Sequence, residues 1–398
     1  MTSSVKRSFK YRFYPTDSQA AELSRTFGCV RKVYNLALQA RTEAWTRGER
    51  VNYNQTSAML TEWKKTKELA YLNEVSSVPL QQALRHLQAG FAGFFAKRAK
   101  YPSFKSRKRS RSAAEYTTSA FRYSHGRLTL ARMSDPLAIV WSRPLPEEAR
   151  PSTVTVSQDA AGRWFVSISC EDPTVKRMPT ADGVVGIDAG LTHLLTLSTG
   201  EKIANPRHER RERERLAKAQ RQLARKAKGD GANRAKARRK VAKVYAKIAD
   251  RRRDHLHQLS TRLVRENQTL VIEDLTVRDL VKHRQLSRAI SDASWAEFRV
   301  MLEYKAAWYG RKVVTVDRFF PSTRMCSACG GLGAKLPLNV REWVCTGCGA
   351  SHDRDVNAAK NILAAGLAVS VCGAGVRPQR STPGGQLAMN QKTLRREL

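Results

Sequence analysis

The stretch Cys326–Ile362, "CSACGGLGAKLPLNVREWVCTGCGASHDRDVNAAKNI", sets two cysteine pairs directly against an acidic helix start. Cys326 and Cys329 form one C-x-x-C, and Cys345 and Cys348 form another. Glycine follows each pair, at Gly330 and Gly349, as a tight knuckle requires. Thiolates from two such knuckles complete a tetrahedron around Zn²⁺ and close its coordination sphere. A closed site leaves no position for water, so this zinc is structural. His352 lies just outside and reads as a local hydrogen-bonding residue. Asp353 and Asp355 then open a helix whose apolar face is Val356, Ala359 and Leu363.

The rest of the 398-residue chain is strongly basic, with 72 Lys and Arg against 35 Asp and Glu, a net charge of +37. Such a chain repels itself unless a polyanion neutralises it, and nucleic acid does so with counterion release. Hydrophobic residues make up 41% of the chain, which excludes wholesale disorder. No segment approaches ~18 apolar residues, and "MTSSVKRSFKYRF" carries no signal-peptide pattern, so no membrane partner is expected. There are seven cysteines. Cys29, Cys170 and Cys372 are scattered, which predicts one metal site in a reducing cytoplasm rather than a disulfide framework.

Along the chain, "VKRSFKYRFYPT" alternates as a strand that Pro15 ends. From Ser18 to about Lys100 the pattern is helical, with Leu80, Leu84, Leu87 and Phe91 on one helix face. "YPSFKSRKRSRS" is a basic loop. "RLTL", "LAIVW", "STVTVSQ" and "WFVSISCE" are short strands, and the first strand is expected to join them in a small β-barrel. "ADGVVGIDAGLTHLLTLSTGEKI" opens a second unit. A long basic helical hairpin over 207–253 follows, marked by Leu216, Ala219 and Leu223, then Val241, Val244, Tyr245 and Ile248. "GDG" at 229–231 breaks it. A solvated helix pair would read the same way, but the one-sided charge favours phosphate contact through residues such as Arg238, Arg239 and Lys240.

Three carboxylates stand at the ends of apolar segments: Asp188 in "VVGIDAG", Glu273 in "TLVIEDL" and Asp355 in "HDRDVNAAKNILAAG". Each alone reads as a cap or a strand-end turn. Together, apolar strands with acids at their ends and helices between are the grammar of an RNase H-like fold. Converged carboxylates raise one another's pKa, and divalent cations remove that penalty. Hard oxygen donors select Mg²⁺ or Mn²⁺. Two such ions can clamp the attacking water and the leaving 3′ oxygen of a phosphodiester.

"GIDAG", "IEDL", "SDASWAEFRVMLEYKAAWYG", the paired C-x-x-C and "HDRDVNAAKNI" together resemble the TnpB family of transposon-encoded RNA-guided nucleases, itself similar to type V CRISPR effectors. "FKYRFYPT", "RKVYNLAL" and "YPSFKSRK" resemble the family's opening. The resemblance implies an α+β multidomain protein: a wedge-type β-barrel from 1–15 and 115–180, and a helical recognition domain at 16–114. It further implies a RuvC nuclease domain from 181–320 and 351–372, a zinc finger at 321–350 and a disordered tail at 373–398. Asp188, Glu273 and Asp355 match the family's catalytic acids, holding two Mg²⁺, with Asp353 a capping or supporting residue. The implied partners are a guide RNA from the transposon end and double-stranded target DNA beside a short motif, bound by a monomeric ribonucleoprotein at the nucleoid. Tyr53, Gln55 and Gln81, in "VNYNQTS" and "VPLQQAL", are candidate motif readers, since Gln can pair bidentately with adenine. They read equally as surface polar residues on helices. The alternatives are a guide-directed repressor that does not cut, which the intact acids disfavour, and a DNA transposase.

Overall fold

The computed structural model describes residues 5–147, 149–227, 231–337 and 339–372. The tail at 373–398 and the hairpin break at Gly229 and Asp230 lie outside the described residues. The chain divides into two compact units, residues 1–176 with 214–247, and residues 177–213 with 248–398.

In the first unit, the alternation of "VKRSFKYRF" forms strand β1 (Val5–Phe13). It turns Phe9, Tyr11 and Phe13 into the core and Ser8, Lys10 and Arg12 the other way. Helix α1 (Asp17–Thr46) begins at a capping box between Thr16 and Gln19. Helix α2 (Tyr53–Lys65) begins at a second, between Asn52 and Gln55. Each cap satisfies backbone N–H groups left over at the helix start and contributes about 1 kcal/mol. A 3₁₀ segment at Lys67–Asn73 leads to α3 (Ser77–Phe95). The predicted stripe of Leu80, Leu84, Leu87 and Phe91 is buried there against Val33, Leu38, Leu60 and Leu72.

Strands β2 (Ser112–Thr117), β3 (Phe121–Ser124), β4 (Arg127–Leu130), β5 (Ile139–Val140), β6 (Pro151–Gln158) and β7 (Trp164–Asp172) follow. An antiparallel five-stranded sheet runs β2-β6-β7-β1-β5, so the first strand joins the later ones as expected. Its ladder does not close into the expected barrel: β2 and β5 are its ends among the described residues. The separate hairpin β3–β4 instead caps the core by packing, through Leu128 and Leu130. Cys29 and Cys170 are buried free thiols. Asp172, with no exposed side-chain surface, is held by Arg7 at 2.6 Å and by the Thr174 N–H at 2.9 Å.

The second unit contains β8 (Val184–Ala189), β9 (His193–Leu197) and β10 (Lys202–Ala204). Two long helices come next, α4 (His208–Ala224) and α5 (Gly231–Glu266). The helical reading expected the hairpin over 207–253, within the second unit. Instead α5 runs unbroken to Glu266, where it feeds β11 (Thr269–Glu273), and residues 214–247 group with the first unit. A helix of that length spans roughly 50 Å, more than one small domain. Then come α6 (Val277–Leu280), α7 (Ser287–Ala293), α8 (Trp295–Tyr309), β12 (Lys312–Val316), β13 (Glu342–Val344), β14 (Ser351–Asp353) and α9 (Arg354–Cys372).

The sheet order is β10-β9-β8-β11-β12, antiparallel through the first three strands and parallel from β8 onward. Period-two alternation sorts β11 onto two cores. Leu270 and Ile272 join the cluster of α5 and α8, while Val271 joins Val314, Val316 and Ile362 beneath α9. That explains the continuous apolar run of "LVI", since parallel strands are covered on both faces. Lys305 of α8 is buried against α5, where its ammonium donates to His257 O, Ser260 Oγ and Thr261 Oγ1, each at 2.7 Å. Burial lowers its pKa to about 8.

On α9 the buried face is Ala358, Ala359 and Ile362, with Val356 and Leu363 only half-buried. The helix lies so close to β8 that a Cβ on Gly186 would stand 2.2 Å from Ala359 O and 2.7 Å from Leu363 N. Backbone cannot yield as a side chain can. Gly186→Ala should therefore cost about 1–3 kcal/mol by overpacking and lower the melting temperature by several degrees. Thermal unfolding followed by circular dichroism checks this; an unchanged midpoint would mean that α9 is free to move off the strand.

Candidate functional site

The parallel pairing of β8 and β11 sets Ile187 opposite Ile272, so the next residues, Asp188 and Glu273, stand on neighbouring strands at the same end of the sheet. Helix α9 packs on β8 and presents Asp355 in its first turn. All three acids are half-buried. Burial, then the charges of Glu273 and Asp355, push Asp188 up to about 7. Burial, then Asp274, raise Glu273. Asp188 thus lies within electrostatic reach of both Glu273 and Asp355, though among the described residues only the four cysteines gather as tightly as one metal ion requires.

Their neighbours are committed elsewhere. Asp274, adjacent to Glu273, is hydrogen-bonded by Arg299 at 2.6 Å and Arg318 at 2.8 Å. The Arg299 bond, against some opposition from burial, holds its pKa below the usual range. Asp353 Oδ1 accepts the N–H groups of Asp355 and Val356, the capping role expected of it, and its Oδ2 meets Lys202 at 2.5 Å. Burial works upward on Asp353, but Lys202 and those backbone donors outweigh it and hold its pKa down. Arg341 reaches Asp355 at 3.4 Å and Thr192 Oγ1 at 3.2 Å.

The four sulfurs of Cys326, Cys329, Cys345 and Cys348 lie within 4.8 Å of one another. Gly330 and Gly349 adopt φ of 73° and 72°, the left-handed turn a knuckle needs. Backbone N–H groups of Cys348 and Gly347 lower the Cys345 thiol to about 7. The donor set fits a closed tetrahedral zinc site. His352 Nε2 lies 3.0 Å from Cys326 Sγ, with its ring 4.9 Å from Trp343, so it supports a ligand. The finger extends past 350, because β13 and β14 pair through Asp353.

Two residues that the sequence reading passed over tie this cluster to the acids. Asn357 and Asn361 are buried on α9. Asn357 Oδ1 accepts the Ser327 N–H at 2.8 Å, and its Nδ2 donates to Met325 O at 2.8 Å. Asn361 donates to Met325 O at 2.6 Å and Ser322 O at 2.8 Å. Their signal was legible: asparagine is poor inside a helix, and two spaced i,i+4 share one face.

The expected nucleic-acid contacts scatter. Tyr53 is half-buried and accepts a bond from Arg85 at 3.3 Å. The Gln55 carbonyl is used as a cap at 2.8 Å, and Gln81 is exposed on α3. Arg238, Arg239 and Lys240 are exposed on α5. Arg239 packs on Gly162 of the β6–β7 turn, and Lys240 lines a groove with Arg215, Lys218, Lys243 and Lys247.

Residues 167–284 match the IS605 OrfB family, described as a probable transposase, and residues 295–362 match the Cas12f1-like TNB domain. Residues 1–50 match a helix-turn-helix description, although the described part of that segment holds one strand and one helix. A Streptomyces pristinaespiralis protein named, provisionally, an RNA-guided DNA endonuclease is 70% identical over 96% of this chain and 94% of its own. InsQ of Escherichia coli K12, named in the same way, is 34% identical over 95% of this chain and 97% of its own. A solved Cas12f1–sgRNA–target DNA complex shares the fold with a TM-score of 0.55 at 13% identity, over 90% of this chain and 98% of that one. The mixed sheet with three converging acids and a four-cysteine cluster thus belongs to an α+β multidomain class that includes Cas12f1. The chain is a member of the TnpB (IS605 OrfB) family.

Asp188 makes a pH prediction. Its folded pKa lies above the unfolded value near 4, so its contribution to stability is full below that value and is lost as pH rises through about 7. Without added magnesium, the wild-type protein should lose roughly 2–4 kcal/mol relative to Asp188→Asn between pH 4 and 8. Parallel denaturation curves for the two proteins across that range would refute it.

Proposed function

We propose that this chain is a transposon's RNA-guided endonuclease for double-stranded DNA. The observation that carries the reading is the placement of Asp188 and Glu273 at the carboxyl ends of neighbouring parallel strands, with Asp355 of the α9 start within electrostatic reach of Asp188, in the crevice where open α/β sheets place their ligands. The names of the relatives support it, and so does a charge of +37. Guide RNA pairs with one DNA strand, while the protein contacts backbone and a short adjacent motif.

In this reading the mixed sheet with α5, α8 and α9 is the RuvC nuclease domain, and the first sheet with α1–α3 is the wedge and recognition module. The acids form a hard, anionic donor set, which fits Mg²⁺ or Mn²⁺ and does not fit a soft metal. Ions held there would supply the positive charge that phosphodiester hydrolysis needs at its attacking and leaving oxygens. The chain's own residues keep that donor set open. Arg299 and Arg318 occupy Asp274, so Glu273 is the acid of that pair turned to substrate. Lys202 and the helix start occupy Asp353, so Asp355 is the acid of its pair. Zinc held by the four cysteines would be structural and would stiffen the finger, which Asn357 and Asn361 bond to α9.

Replacing Asp188, Glu273 or Asp355 with Ala should abolish cleavage of guide-matched DNA in Mg²⁺, while target binding stays within about two-fold, because binding rests on pairing and phosphate contacts. Asp353→Ala should retain activity. Cleavage and binding assays on the same ribonucleoproteins decide it. Three active acid variants would sink the nuclease reading, and binding without cleavage by the wild type would favour a repressor.

Neutralising Arg238, Arg239 and Lys240 together should weaken RNA binding across sequences and lower the slope of log K against log salt by about 2–3. Titrations at several salt concentrations measure it; an unchanged slope means that these residues only face solvent.

A further inference from the structure

Phe319 is the most exposed of the large hydrophobic side chains described, at 77%. Exposure of one apolar ring is ordinary; the position of this one is not. Strand β12 pairs with β11 so that Val316 stands opposite Glu273. Phe319 follows three residues later, within about 10 Å of chain reach, at the same edge of the sheet as the acids. The ring's neighbours in sequence are held firmly. Arg318 is bound to Asp274 at 2.8 Å and to Thr276 Oγ1 at 2.6 Å. The Phe319 N–H donates to Asp317 Oδ1 at 2.8 Å. Phe320 packs into the core beneath α9, and Ser322 O and Met325 O accept bonds from Asn357 and Asn361. A segment pinned on both sides thus holds its one apolar ring outward.

We propose that Phe319 is a stacking platform for an unpaired base of the DNA strand entering the nuclease site. An aromatic face takes any of the four bases, which a guide-directed cutter requires, because sequence is already read by pairing. The cationic Arg318 beside it, itself 47% exposed, complements the phosphates that flank such a base. The stacked base would lie within a few nucleotides of the bond that is cut. Stacking there fixes the strand's direction and register over Asp188, Glu273 and Asp355, so Phe319 binds and positions substrate without taking part in the chemistry. The inference rests on the nuclease reading for the identity of its ligand.

The test uses guide-loaded protein and a matched duplex. Phe319→Ala and Phe319→Leu should slow strand cutting ten-fold or more while target binding and melting temperature hold. Phe319→Tyr and Phe319→Trp should restore it. A second arm places 2-aminopurine at successive positions of single-stranded DNA bound to the Asp188→Asn protein, which leaves the strand whole. Quenching at one position that disappears in Phe319→Leu is the expected result. Full activity of the Leu variant, or quenching that ignores residue 319, overturns the proposal. If wild-type protein fails to cut matched DNA, the nuclease reading falls by itself, and the fluorescence arm still decides whether a base stacks on Phe319.

Discussion

The close packing of α9 on β8 is the contact on which the rest of the second unit depends. Only hydrogen fits at Gly186 beneath Ala359 O, and Gly366 meets Val271 in the same way on β11. Two glycines, one on the strand and one on the helix, bring the backbones closer than side chains would allow. The consequence is electrostatic. Asp355 arrives within influence of Asp188, which parallel pairing already sets beside Glu273. Wider separation would leave three ordinary carboxylates, because interaction between exposed charges weakens quickly in water.

The treatment of the other acids makes the cluster distinctive. In a chain so rich in arginine and lysine, acidic side chains readily find cations. Asp172 has Arg7, Asp274 has Arg299 and Arg318, and Asp353 has Lys202. Asp188 has mainly like charges and burial around it, only partly offset by Arg354. An arrangement that disfavours its own ionised form weakens the fold, and such local cost is characteristic of sites kept for binding or chemistry. The same contrast separates the members of each doublet: Asp274 is held by two arginines, and Asp353 by Lys202 and two backbone N–H groups, whereas Asp355 meets Arg341 at 3.4 Å.

Much of this was legible in the sequence, and the failures have specific causes. Strand alternation and helix periodicity placed β1, α3 and the apolar strands β8 and β11, since those patterns reflect which faces are buried. The cysteine pairs were readable because a knuckle is local. The acids were readable as strand and helix ends, while their meeting needed topology. The barrel was over-read: alternation shows that a strand has a buried face and leaves open whether hydrogen bonds or a packed hairpin close the core. The α9 face was legible only in part: Ala359 is buried as expected, while Val356 and Leu363 are half-buried, and the structure buries Asn357 and Asn361 beside Ala358 and Ile362. Gln55, a candidate base reader weighed equally as a surface polar residue, uses its carbonyl in the capping box with Asn52, a local role that its spacing already announced.

Those two asparagines explain why a metal clip is written against an acidic helix start. The finger's backbone at Ser322, Met325 and Ser327 is bonded to side chains on the first turns of α9, the helix that carries Asp355. From the other side, Arg341, three residues before the end of β13, reaches Asp355 itself. A short loop joined to a larger sheet has little core of its own, and a metal ion bound by its four cysteines would give it rigidity that so few residues could not otherwise achieve. Rigidity there fixes where the helix begins, and a carboxylate in the first turn moves with that beginning. The cysteine-bearing segment is therefore coupled to the helix that carries Asp355 through hydrogen bonds to α9, without touching Asp188 or Glu273.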